Sequence, residues 1–134
     1  MNEIRRGALT LARIAGIARD DFAAGRERDA WRLLFGFADD FRASSGTGKV
    51  ALIADEPAPT GHRGFDAALA GAAEFFAGEA GLPVPGWVNG PGRYALPWFF
   101  VTSRPAFHAY VLAHTPIEFT AHGVFMAREV FDRA

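Results

Sequence analysis

The chain has 134 residues, a formal net charge of −1 at pH 7, half of its residues hydrophobic, and no cysteine. That length and apolar content suffice for one domain, residues 1–134, with a packed core to which 13 phenylalanines contribute. The balanced charge gives no bias toward nucleic acid or anionic membrane, and the lack of cysteine excludes disulfides and cysteine-based zinc or redox sites.

No apolar run reaches the roughly 18 residues of a membrane span. The N-terminal apolar residues are interrupted by Arg13 and Arg19 and form no signal-peptide core, so a cytoplasmic protein is expected. Eight of the fourteen basic residues precede Ala43, all of them Arg, with seven acids interspersed; this is the pattern of a solvated face.

In chain order, residues 4–20 predict a first helix with the apolar stripe Ile4, Ala8, Leu11, Ile14, Ala15 and Ala18. Leu11-Ala12, Ala15-Gly16-Ile17 and Phe22 also stand at helix-turn-helix offsets. A recognition helix over residues 19–26 would carry Asp20 and Asp21 where DNA-facing groups belong, so an amphipathic helix is the stronger reading. Residues 22–42 predict a second helix with Trp31, Leu34, Phe35, Ala38 and Phe41 on one face and Leu33 and Phe37 on another.

Residues 43–48 read as a loop. Ser45-Gly46-Thr47-Gly48-Lys49 is not a phosphate loop, because Ala43 and Val50 stand where that motif needs a glycine and a hydroxyl. Residues 50–54 read as a short strand or buried turn, followed by Asp55 and Glu56 in a solvated loop.

The stretch 54–88 organises the rest. Phe65, Leu69, Ala72 and Phe76 recur at helical spacing, with Ala68, Ala73 and Phe75 widening the stripe. Gly61 and Gly64 mark its start, and Gly81, Pro83 and Pro85 its stop. A helix so rich in Phe and Ala is expected to be wrapped by its neighbours.

Residues 83–97 form a Gly/Pro-rich loop carrying Trp87 and Tyr94, and residues 98–101 predict a strand beginning at Trp98. Large aromatics on irregular backbone pin a loop to the core or build a binding surface. A helix over residues 104–114 has Pro105 in its first turn; a helical turn over 117–122, a brief strand over 123–126 and a closing helix over 127–134 follow.

Chemical motifs are sparse. His108 has Leu112 at the i+4 position, His114 reaches Glu118 only across the helix-breaking Pro116, His62 and His122 read as loop residues, and Ser44, Ser45 and Ser103 lack a nucleophile elbow. No catalytic residue, metal or cofactor is expected.

The pattern nonetheless resembles a known group. Residues 25–41 (GR…AWRLL…F.DDF), 54–61 (ADEP.PTG), 65–74 (FDAALAG.AE), 81–88 (GLPVPGWV), 97–100 (PWFF), Thr115-Pro116 and 122–126 (HGVFM) carry the likeness. It resembles an uncharacterised actinobacterial family of small helical proteins, sometimes fused to a helix-turn-helix domain, whose members look like antitoxin partners of nucleotidyltransferase-like toxins. The resemblance implies the antitoxin or accessory half of a two-gene system and brings no catalytic residues with it.

The expected fold is a mainly α single domain of five to six helices with one or two short strands, at 50–54 and 98–101. The expected function is a non-enzymatic protein-binding module that masks a partner, with Trp87, Tyr94, Trp98 and Arg104 as contacts. Two alternatives stay open: an enzyme or small-molecule binder using Asp55, Glu56 or His108 beside the aromatic loop, and a DNA-binding regulator reading through residues 11–26.

Overall fold

A computed structural model of the chain describes residues 7–102 and 104–132. Helix α1 spans Leu11–Ala23, and the Thr10 hydroxyl caps it by accepting the Arg13 N–H at 3.1 Å. Leu11, Ile14, Ala15 and Ala18 are its buried stripe. The expected start at Ile4 lies outside the described residues. Helix α2 spans Glu27–Ala43 rather than beginning at Phe22, because Gly25 takes a left-handed conformation (φ +78°) that separates the two helices. Its buried face is Ala30, Trp31, Leu34, Phe37, Ala38 and Phe41.

Residues 50–54 are not a strand. They are the second half of helix α3, Gly46–Ala54. The Ser45 side chain caps it by accepting the Gly48 N–H at 3.2 Å, so the supposed loop is the helix's first turn. Gly48, Leu52 and Ile53 face the core, a helical and not an alternating pattern.

Helix α4, Arg63–Ala80, is the centre of the fold. The His62 ring caps it by accepting the Phe65 N–H at 3.0 Å. At its end Gly81 is left-handed (φ +68°), with the Leu82 N–H bonded to the Ala77 carbonyl at 2.8 Å and the Gly81 N–H to Gly78 at 3.3 Å, a Schellman stop. Thirteen of its eighteen residues are buried, so neighbours wrap it on nearly all sides as expected. Its glycines let them approach: a Cβ on Gly64 would lie 2.5 Å from the Phe99 ring, and one on Gly71 2.6 Å from the Phe119 ring.

A 3-10 turn, Gly86–Asn89, follows. Strand β1 is Phe99–Phe100 and strand β2 is Val124–Phe125; they pair in parallel, Phe99 with Val124 and Phe100 with Phe125. Between them a 3-10 turn, Pro105–Phe107, leads into helix α5, His108–His114, and helix α6 covers Ile117–Ala121. The closing segment is a 3-10 turn, Arg128–Phe131, rather than an α-helix over 127–134, and residues 133–134 lie outside the described residues. Among the described residues there are thus six α-helices and two short strands in one mainly α domain.

Two aromatic clusters tie these elements to α4. Phe76 meets Phe41, Phe37 and Phe131 with ring centroids 5.2, 5.5 and 5.4 Å away, and Phe131 stacks on Phe119 at 5.4 Å. Trp31 packs on Phe65 at 4.9 Å and stacks on Phe99 at 5.6 Å. One hydrophobic core therefore joins α1 to α4, α6, β2 and the closing turn.

That closing turn is latched by Arg42. Its guanidinium forks onto Glu79, with Nε to Oε1 at 2.9 Å and Nη2 to Oε2 at 2.8 Å, and Nη1 donates to the Phe131 carbonyl at 2.6 Å. Hydrogen bonding from Arg42, aided by its charge, holds the Glu79 carboxyl below its ordinary value. A carboxyl so depressed contributes stability above its unfolded pKa and loses that contribution as pH falls through the folded one. Glu79→Gln is therefore expected to cost about 1 kcal/mol at pH 7, a figure kept small by partial exposure, and less at pH 3. Urea denaturation of both proteins at the two pH values reads this directly; an equal cost at both would assign the effect to packing.

Candidate partner-binding surface

The loop after α4 is held from inside by Arg93, which is 3% exposed. Its guanidinium donates to the backbone carbonyls of Pro57 and Asp66 (3.2 Å for the latter), lies 4.9 Å over the Trp87 ring and sits 3.7 Å from Glu56. The Asp66 carboxylate in turn accepts the Thr60 hydroxyl at 2.7 Å and the Thr60 N–H at 3.0 Å. A second anchor lies beside it: the buried His122 ring places Nδ1 2.6 Å from the Arg93 carbonyl and pairs Nε2 with Glu74 on α4. These contacts join the loop to the start and middle of the central helix.

The four sequence-derived contact residues fall into different environments. Trp87 turns inward; its indole N–H donates to the Ile53 carbonyl at 3.0 Å and its ring is half-buried against the core. Tyr94 is partly exposed, stacks on His122 at 4.6 Å and donates its hydroxyl to Asn89 at 2.6 Å. Trp98 is 60% exposed. Arg104 is exposed, with its guanidinium 5.9 Å from the Phe107 ring centroid.

Strand alternation explains the position of Trp98. Phe99 points inward to Trp31 and Gly64, while Trp98 and Phe100 both lie on Phe125, each with ring centroids 5.0 Å away. His108 at the start of α5 stacks on Phe100 at 4.0 Å and extends this row. Phe125 beneath is 2% exposed, so the row rests on core. Leu96, 67% exposed, and Phe107, 47% exposed, add to the same segment of chain. Neither was singled out from sequence; their signal is adjacency to Trp98 and Arg104, which only exposure turns into a surface.

The residues named for the alternative small-molecule site are exposed or engaged elsewhere. Asp55 and Glu56 are exposed, Glu56 is directed to Arg93, and His108 is engaged in stacking. Surface clefts of about 250 to 380 Å³ occur along α2, beside α3 and at the start of α4, and none of these is lined by Asp55, Glu56 or His108. Among the described residues no group of three His, Asp or Glu side chains is placed to hold a metal ion. The helix-turn-helix offsets also fail to form their motif, because α1 runs unbroken from Leu11 through Gly16 to Ala23. No helix among the described residues is long and apolar enough to cross a membrane.

Comparison with protein-family models, with curated proteins and with solved structures found no match. The surface geometry therefore carries the functional argument.

Proposed function

We propose that the chain is a non-enzymatic protein-binding module acting in the cytoplasm, and that it engages its partner through the aromatic row centred on Trp98. The observation that carries this reading is the exposure of Leu96 and Trp98, at 67% and 60%, between the buried Arg93 and the paired strand β1, with Phe107, 47% exposed, farther along the chain. Rigid, exposed aromatic side chains lose little conformational freedom on binding and dominate interface energetics. Tyr94 and Arg104 belong to the contact surface in this reading, while Trp87 positions the loop from below.

The resemblance to antitoxin partners makes the product of a neighbouring gene, of nucleotidyltransferase-like toxin type, the first partner to test, with masking of that protein as the mode of action. In a binding assay with the purified neighbour product, Trp98→Ala is expected to weaken association by about 30-fold or more, the effect of losing a hot-spot tryptophan. Its helical circular dichroism should remain that of the wild type, since Trp98 lies outside the core. Equal binding by both proteins would overturn the assignment of this face.

A further inference from the structure

The charge distribution around the aromatic row says what sort of partner segment fits it. All fifteen Asp and Glu residues lie at or before Glu79 or at or after Glu118, so the chain from 80 to 117 contributes no acid to this face. The acid that meets α5, Glu129, accepts the Tyr110 hydroxyl at 3.1 Å. One arginine stands beside Trp98 and a second follows farther along the chain. Arg63, at the start of α4, donates to the Leu96 carbonyl and lines a cleft of about 380 Å³ together with Trp98 and Pro97. Arg104 is exposed beside Phe107, the residue before the stacked His108.

Among the described residues neither arginine has a carboxylate partner, whereas Arg26, Arg42, Arg93 and Arg128 each do. At the Arg63 end Glu27 lies 3.7 Å from His62, and the Asp66 carboxylate is taken up by Thr60. Holding Arg63 by a backbone carbonyl leaves most of its five donors for a ligand. An arginine beside an aromatic face presents a forked donor to a carboxylate and an apolar wall to a neighbouring side chain.

We infer that this face takes an acidic segment of a partner protein, one in which Asp or Glu residues flank an apolar or aromatic side chain. The apolar residue packs beside Trp98 while the carboxylates reach Arg63 and Arg104. This inference rests on the protein-binding reading above and adds the chemistry of the partner. Nucleic acid fits less well: two arginines neutralise few phosphates, and the net charge of −1 opposes a polyanion.

The test is selection of a displayed library of random dodecapeptides on the full chain, followed by affinity measurements with the enriched peptides. Enrichment of Asp and Glu around an apolar residue is expected. Binding should weaken about tenfold for Arg104→Glu and further for Arg63→Glu with Arg104→Glu, and it should weaken as salt rises. Arg104→Glu alone keeps the test valid should Arg63 prove necessary for folding, since among the described residues the Arg104 side chain makes no hydrogen bond. Peptides with Lys in place of the acids should bind the double variant better than the wild type.

Enriched peptides that are neutral or basic, yet require Trp98, would overturn the acidic partner while keeping the protein-binding face. Peptides indifferent to Trp98→Ala, or no enrichment at all, would overturn both. A twelve-nucleotide oligothymidine that displaces the peptides at equal concentration would overturn the acidic segment in favour of nucleic acid.

Discussion

Gly123→Ala is expected to destabilise the protein by about 3 to 5 kcal/mol, a large part of the 5 to 15 kcal/mol typical of a domain. Two costs add. Gly123 has φ +78°, a conformation that an L side chain adopts only with strain of about 1 kcal/mol or more. A Cβ there would also lie 2.3 Å from the Ala95 carbonyl oxygen, a backbone atom with no free end to swing aside. Ala95 cannot retreat, because its own N–H donates to the His122 carbonyl at 2.8 Å and Arg93 two residues earlier is locked in the interior. Gly92→Ala is the control: its φ is +80°, yet nothing lies within 4 Å of its Cβ position. Chemical denaturation should show the Gly92 variant losing about 1 kcal/mol and the Gly123 variant several times more. Equal losses would mean that the contact between the aromatic loop and β2 is looser than described.

Phe76→Ala is the second large effect, expected at about 3 to 5 kcal/mol. Phe76 is fully buried on α4, and its ring contacts Phe37, Phe41, Phe75 and Phe131 from α2, α4 and the closing turn, with the Arg42 guanidinium 5.6 Å above it. Four rings cannot all move into the space left by a phenyl group, so a cavity persists and adds to the lost transfer free energy. Phe107→Ala, half exposed beside Arg104, is expected to cost under 1 kcal/mol in the same assay. A loss below 1.5 kcal/mol for Phe76→Ala would contradict its place at the meeting point of these elements.

The helices were legible where the stripe was strong and the punctuation sharp. α4 carries Phe65, Leu69, Ala72 and Phe76 on one spacing and ends at Gly81 in the expected left-handed cap. α3 was misread because its first turn, Gly46-Thr47-Gly48, has loop composition, and its remaining apolar run is too short to show a period. The Ser45 cap was the available signal. The closing segment is short, and its adjacent apolar residues Val130 and Phe131 show no period that separates a 3-10 turn from an α-helix.

The surface was half legible. Aromatic residues on the loop were visible in the sequence, but the division between Trp87, facing the core, and Trp98, facing solvent, depends on β1 register and on the Ile53 carbonyl 34 positions earlier. The roles of Gly64, Gly71 and Gly123 were likewise hidden, because a close approach is a property of the pair and only one member is local in sequence.

We propose that Trp98 marks the partner-binding face. The most direct test is to place a photo-crosslinking phenylalanine analogue at position 98 in the native cell and, as a control, at exposed position 50 on α3, which lines a separate cleft. One adduct of defined mass, containing a second protein, is expected at position 98 and none at position 50. No adduct at position 98, or the same diffuse adducts at both positions, would contradict it.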